Sequence, residues 1–277
     1  MIDGNTELIA HIGYPTHTFT APKIYNPYFE SIGLNVVVVP MSCRADHYPQ
    51  FLRSVFSLEN IRGALVTMPH KVTTTGLVDQ LSATAQVAGS CNAVKRLPDG
   101  RLAGDMFDGD GFVRGVRRKG FDPAGARALV VGCGGVGSAI AASLADAGIA
   151  SLTLFDLNSA TCDALSTRLR RHFPGLLVSG GTRDPVGHDL IVNATPLGMQ
   201  AGDPLPLDVG RIEPHAFVGD VVLKTEGTPL LAASLARGCH TLVGTDMLFE
   251  MIPAYLEFFD LPMTDADLLK RVARLGR

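Results

Sequence analysis

The chain has 277 residues, of which 46% are apolar and 18% charged, with a formal net charge of −3. That length allows one large or two ordinary domains with a buried core, and a weak charge spread along the chain argues against nucleic acid or an anionic membrane as the main partner. No apolar run approaches the roughly 18 residues a membrane span needs, and the amino terminus lacks a basic stretch before an apolar core, so a cytoplasmic protein is expected. The cysteines (Cys43, Cys91, Cys133, Cys162, Cys239) are odd in number, with no C-x-x-C spacing, and read as reduced thiols. The histidines show no H-x-x-x-H or HExxH pairing, so no metal site is expected.

In chain order, Leu8–Ile12 reads as a short apolar strand running into the loop Gly13–Pro22. Proline suits a helix's first turn, so a helix is expected from Pro22 through Ile32. Val36–Pro40 is an apolar strand, a helix follows over about Ala45–Leu58, and Gly63–Thr67 is a third strand leading to Met68-Pro69-His70-Lys71. This βαβαβ run is an α/β layer of its own. A lysine at a strand end can serve as a proton-transfer group, although a solvated surface lysine is the commoner case. Pro98-Asp99-Gly100 is a hairpin turn signal between Ser90–Lys95 and Arg101–Gly104. A helix of about Gly109–Lys119 comes next, with Asp108 at its start, where capping alone would account for an aspartate.

Arg127–Asp156 carries the densest information. An apolar strand (Arg127–Val131) runs into Gly132-Cys133-Gly134-Gly135-Val136-Gly137, an Ala-rich helix follows, and a second strand (Ser151–Phe155) ends at Asp156. In such a βαβ unit the first glycine of G-x-G-x-x-G permits a tight turn, the second lets backbone approach a pyrophosphate, and the third lets helix pack on strand. The free N–H groups at the helix start then face an anion. Asp156, about 20 residues on, can accept both ribose hydroxyl protons and would repel a 2′-phosphate, so NAD is expected in preference to NADP. Further strands are expected at Leu176–Ser179, Leu190–Asn193, Phe217–Val222 and Thr241–Val243, completing an open parallel sheet. The segments Asp246–Phe259 and Asp265–Arg274 read as helices without strand partners that fold back over the first module.

The segments together resemble the shikimate/quinate dehydrogenase family. The resemblance is carried by Gly13-x-Pro15 with Pro22 and Asn26, Val66-Thr67-Met68-Pro69-His70-Lys71, Ala88-Gly89-Ser90-Cys91-Asn92, Gly104-Asp105-x-x-Asp108-Gly109, the glycine turn, Asn193–Met199 and Gly227-Thr228-Pro229-Leu230. It implies an α/β protein with an N-terminal substrate domain (1–107, with 246–277 folding back onto it) and a C-terminal Rossmann-type dinucleotide-binding domain (108–245). The activity implied is NAD(P)-dependent interconversion of a secondary alcohol and a ketone on a cyclic hydroxy acid, by a monomer or homodimer. Lys71 and Asp108 take the catalytic positions. Thr18, Phe19, Thr20, Thr67, Asn92, Phe107, Leu223 and Met251 fall at the substrate, and Gly132, Gly134, Gly135, Val136, Gly137, Asp156, Asn193, Thr195 and Gly244 at the dinucleotide.

Several positions depart from the family pattern. Phe19 and Ala21 stand where a hydroxyl-x-hydroxyl pair binds the substrate carboxylate, while Thr18 and Thr20 lie one residue earlier. Phe107, Leu223 and Met251 replace threonine, tyrosine and glutamine, and Leu65 replaces an asparagine. Losing about five polar contacts at about 1 kcal/mol each weakens binding thousands-fold. Two alternatives to a shikimate or quinate enzyme therefore stand: a dehydrogenase for a less polar ketone, and a nucleotide-binding sensor without catalysis.

Overall fold

Four consecutive valines at 36–39 suit a strand buried on both faces, because β-branched side chains lose little freedom in the extended state. In the computed structural model, which describes residues 2–224 and 227–275, that run becomes the edge strand of the first of two sheets, with Val36 and Val38 buried and Val37 and Val39 half-buried. The chain divides into two units, Met1–Phe107 with Ile252–Arg277, and Asp108–Met251. No helix among the described residues is long and apolar enough to cross a membrane.

The first unit contains β1 (Glu7–Gly13), α1 (Pro22–Ser31), β2 (Val36–Ser42), α2 (Tyr48–Val55), β3 (Ile61–Val66), α3 (Lys71–Thr74), β4 (Gln80–Leu81), α4 (Ala83–Ala88), β5 (Ala93–Arg96) and β6 (Leu102–Asp105). Its sheet runs β2-β1-β3-β5-β6-β4. β1 pairs in parallel with β2 and β3, whereas β5 is antiparallel to both β3 and β6. The reversal from β5 to β6 comes from the hairpin, where Gly100 takes a φ of +88° and the Leu97 N–H reaches the Arg101 carbonyl at 2.8 Å. α2 is shorter than the expected 45–58 helix because Pro49 sits in its first turn, and a proline starts a helix more readily than it continues one. α3 has four residues, too few for an amphipathic period to show in the sequence.

The second unit contains α5 (Asp108–Arg118), β7 (Arg127–Val131), α6 (Gly135–Asp146), β8 (Ser151–Phe155), α7 (Ser159–His172), β9 (Leu177–Gly180), β10 (Leu190–Asn193), β11 (Phe217–Asp220), α8 (Pro229–Ala236) and β12 (His240–Leu242). The sheet order is β12-β11-β10-β7-β8-β9, parallel throughout. β7 lies between β8 and β10, so the winding reverses at its carboxyl end, which is where open α/β sheets take ligands.

α9 (Gly244–Phe258) and α10 (Ala266–Val272) close the chain. The start of α9 packs on α5: Arg118 and Lys119 pair with Glu250 and Asp246, each at 2.8 Å. Beyond its end, the chain returns to the first sheet. Arg62 donates from Nε to the Phe259 carbonyl and from Nη2 to that of Asp260, at 2.8 and 2.7 Å, which satisfies carbonyls that a helix end leaves open. The Tyr28 hydroxyl donates to the Pro262 carbonyl at 2.8 Å. Phe259 is buried against Gly63, where an added Cβ would overlap the ring. The substitution Gly63→Ala is expected to destabilise the protein by about 1–3 kcal/mol through overpacking, read from urea unfolding, whereas Gly100→Ala should act only through its left-handed backbone.

Candidate active site

In the first unit, the loops after β1 and β3 meet at Gly13. A Cβ there would stand 2.5 Å from Thr67 Cγ2 and 2.7 Å from Phe19 Cζ, so only glycine lets the two loops close on each other. Lys71 opens α3, and its carbonyl accepts the Cys91 N–H at 2.9 Å. The preceding His70 is buried, with Nε2 2.8 Å from the Cys43 carbonyl and its ring flat against Tyr48 at 3.9 Å. Burial lowers its pKa. His70 thus anchors the turn that presents Lys71. Asn92 is fully buried, and its Oδ1 accepts the Phe107 N–H at 3.0 Å.

The substrate-shell positions are arranged unequally. Thr18 and Thr20 are both exposed, and the half-buried Phe19 between them stacks on His11 at 4.0 Å. Phe107 meets Tyr255 and Phe258 edge-on at 5.0 and 5.5 Å, so part of its ring belongs to the aromatic cluster under the C-terminal return. Sequence reading missed His11. It lies on β1 facing the same way as Gly13, its Nδ1 has no hydrogen-bond partner, and burial, reinforced by the Lys71 charge, lowers its pKa to about 4. The available signal was a lone imidazole in an otherwise apolar strand, two residues before the loop.

In the second unit, the turn between β7 and α6 has two kinds of glycine. Gly132 takes a φ of +99°, and a Cβ on it would run into the backbone of Ala194. A Cβ on Gly137 would overlap the Gly132 carbonyl oxygen. Gly134 and Gly135, by contrast, face open space, with Val136 half-buried after them. Such a turn could hold a pyrophosphate on the first N–H groups of α6. Asp108 is the first residue of α5 and is buried, and the glycine after it abuts the Ala139 carbonyl on α6.

Asn193 and Thr195 spend polar atoms on their own loop. The Thr195 N–H and hydroxyl donate to Asn193 Oδ1 at 3.1 and 2.6 Å, and Asn193 Nδ2 donates to the Leu197 carbonyl at 3.0 Å. Asp220, absent from the sequence-based site, is buried beside them, accepting from the Thr228 hydroxyl at 2.7 Å, and desolvation raises its pKa. Gly244 opens α9 against the carbonyls of Val221 and Val222, Leu223 is exposed, and Met251 packs over Gly111 of α5. Among the described residues, no group of histidine, cysteine and acidic side chains could hold a metal ion.

Comparison with known proteins places this geometry. Residues 11–94 match the shikimate dehydrogenase substrate binding domain. A shikimate dehydrogenase (NADP(+)) of Rubrobacter xylanophilus is 37% identical over 254 residues, covering 89% of this chain and 88% of the relative. The chain belongs to the shikimate dehydrogenase family. A second family member, the shikimate dehydrogenase (NADP(+)) of Acidiphilium cryptum, is 33% identical over 276 residues, covering 99% and 98%. The crystal structure of shikimate 5-dehydrogenase from Listeria monocytogenes, in complex with shikimate and NAD, superposes with a TM-score of 0.91 at 26% identity, covering 98% and 97%.

These relatives correct one expectation. A preference for NAD was read from Asp156, but the similar curated family members are named as NADP(+) enzymes. The carboxylate also has internal work: Oδ2 accepts the Cys133 N–H at 2.8 Å and Oδ1 the Asn158 N–H at 2.9 Å. With one backbone N–H already on each oxygen, the carboxylate has fewer lone pairs left for ribose hydroxyls, and its place at the end of β8 has a structural explanation without them.

His11 gives a prediction about pH. A histidine with an ordinary value of 6.5 in the unfolded chain and about 4 in the fold leaves the unfolded state holding more protons between those values. Stability is therefore lost as pH falls from 6.5 towards 4, by up to about 3 kcal/mol from this group. In urea unfolding at pH 7 and pH 4.5, the wild type should lose more stability than His11→Leu, and equal losses would show that the imidazole titrates normally in the fold.

Proposed function

We propose that the chain is an NAD(P)-dependent oxidoreductase that interconverts a secondary alcohol and a ketone on a cyclic hydroxy acid of the shikimate or quinate type. The observation that carries the reading is the turn between β7 and α6, whose Gly134 and Gly135 leave room for a pyrophosphate in a chain related over nearly its whole length to shikimate dehydrogenases. Gly132, Gly134, Gly135, Val136 and Gly137 would hold the dinucleotide through backbone N–H groups, with Asn193, Thr195 and Gly244 shaping the neighbouring loops. The names of the relatives support NADP(H) as the cofactor.

The dinucleotide, when bound, supplies the hydride acceptor for alcohol oxidation and the donor for the reverse. Lys71 takes the hydroxyl proton as the alcohol becomes a ketone and returns a proton to the oxygen in the reverse direction. Asp108 takes the carboxylate role in this proton transfer by its match to the family pattern Gly104-Asp105-x-x-Asp108-Gly109. Thr67 and Asn92 orient the substrate, with Asn92 held rigid by the Phe107 N–H.

Lys71→Ala should reduce kcat for shikimate oxidation by about a hundredfold to ten-thousandfold, the usual worth of a positioned acid–base group, with NADPH affinity unchanged. Turnover undiminished in that variant would remove the lysine from the chemistry. In the wild type, kcat/KM should be greater with NADP+ than with NAD+, and the opposite order in steady-state assays would reject NADP(H).

A second reading, a dehydrogenase for a less polar ketone, is favoured by the Phe19 ring stacked on His11, where the family pattern has a carboxylate-binding hydroxyl. A screen in which uncharged cyclic ketones outperform 3-dehydroshikimate in kcat/KM would select it.

A further inference from the structure

Cys133, inside the glycine turn, and Cys162, on α7, bring their Sγ atoms to 3.3 Å of each other. The mechanism above uses neither thiol. Both are buried, yet not equally placed: Cys162 lines a cavity of about 550 Å³ together with Ser159, Asp163, Ser166 and Arg170, while Cys133 lies behind it. Cys133 is also a fastening point of the turn, since its N–H donates to Asp156 at 2.8 Å and its carbonyl accepts the Ser138 hydroxyl at 2.9 Å.

We propose that Cys133 and Cys162 are a peroxide-oxidisable dithiol whose closure to a disulfide loosens dinucleotide binding. The coupling to the dinucleotide rests on the function proposed above. Cys162, facing the cavity, meets the oxidant first, and burial pushes the Cys133 thiol up so that it reacts second. The Cys162 thiolate attacks one oxygen of hydrogen peroxide, the O–O bond breaks, and hydroxide leaves to become water with the proton that Cys162 shed. The Cys133 sulfur then attacks the resulting sulfenic acid, the S–S bond forms, the S–O bond breaks, and a second water leaves with the Cys133 proton. Two thiols lose two electrons and one peroxide gains them.

A disulfide needs its sulfurs at about 2.05 Å, so the pair must close by roughly 1.2 Å. α7 is a regular helix with its first turn capped by Asn158, whereas the turn between β7 and α6 is glycine-rich and has open space at Gly134 and Gly135. Closure therefore falls on the turn and works against the bonds that pin it, the Cys133 N–H on Asp156 and the Ser138 hydroxyl on the Cys133 carbonyl, so that its N–H groups leave the positions that a pyrophosphate requires.

The test uses the full chain treated with hydrogen peroxide. Residues 128–168 form one tryptic peptide with both cysteines and no internal Lys or Arg. After oxidation this peptide should be lighter by two hydrogens, and fragments cut at Asp146 and Asp156 should separate only after reduction. NADPH affinity should fall about tenfold or more, the worth of a charge-assisted hydrogen bond, and dithiothreitol should restore it. Cys162→Ser, or Cys162→Ala if the serine variant is unstable, should keep its affinity under peroxide. A folded protein whose peptide retains two alkylatable thiols overturns the proposal, as does a bond that forms with unchanged affinity. Reduced wild type that binds no NADPH overturns the dinucleotide reading and the coupling with it, whatever the peptide mass.

Discussion

The second unit depends on one contact that an ordinary side chain would forbid. Gly137 lies against the Gly132 carbonyl, so the first turn of α6 can rest directly on the chain leaving β7. That approach aims the helix's free N–H groups across the carboxyl end of the sheet, at the point where the strand order reverses. The Gly132 N–H on the Phe155 carbonyl, at 2.7 Å, and the Cys133 N–H on Asp156 then pin the same turn to β8. A turn held from both sides has its N–H groups in place before any anion arrives, so little ordering remains to be done on binding.

The first unit solves a similar problem with different means. Gly13 lets the loop after β1 touch the loop after β3, and His70 ties the second of these to Cys43 and Tyr48. The lysine that follows is presented by a rigid turn rather than by a long flexible connection. The same closure brings His11 and Phe19 together face to face, and puts an aromatic pair at the position where the resemblance to the family implies a hydroxyl.

What could be read from the sequence follows from the range of the forces involved. The strands of both sheets announce themselves because apolar periodicity is local, and the hairpin at Asp99-Gly100 because a turn needs particular residues. The short helix at Lys71 and the two-residue strand β4 leave no period to detect. Glycine requirements at Gly132 and Gly137 were legible as a spaced motif, whereas the equally strict one at Gly13 shows itself only once two loops far apart in sequence are superimposed. Asp156 misled because an acid at a strand end looks the same whether it awaits a ribose or holds two backbone N–H groups. Asp220 and His11 went unnoticed because burial, not residue type, sets them apart. Phe107 could not be assigned to the aromatic cluster from sequence, since its partners Tyr255 and Phe258 lie about 150 residues away, a separation across which no local pattern reports contact.

The stack of Tyr48 on His70 extends further than the loop it steadies. The tyrosine hydroxyl is also hydrogen-bonded to Thr74 Oγ1 at 2.7 Å, and that threonine donates in turn to the His70 carbonyl at 2.8 Å. An aromatic residue on α2 therefore grips both ends of the single helical turn that begins with Lys71. Drift in the interior of the first unit, at positions with no chemistry of their own, would tilt the ammonium by way of this three-residue clasp. Natural variation at Tyr48 and Thr74 should accordingly be paired, each tolerating change only when the other changes with it.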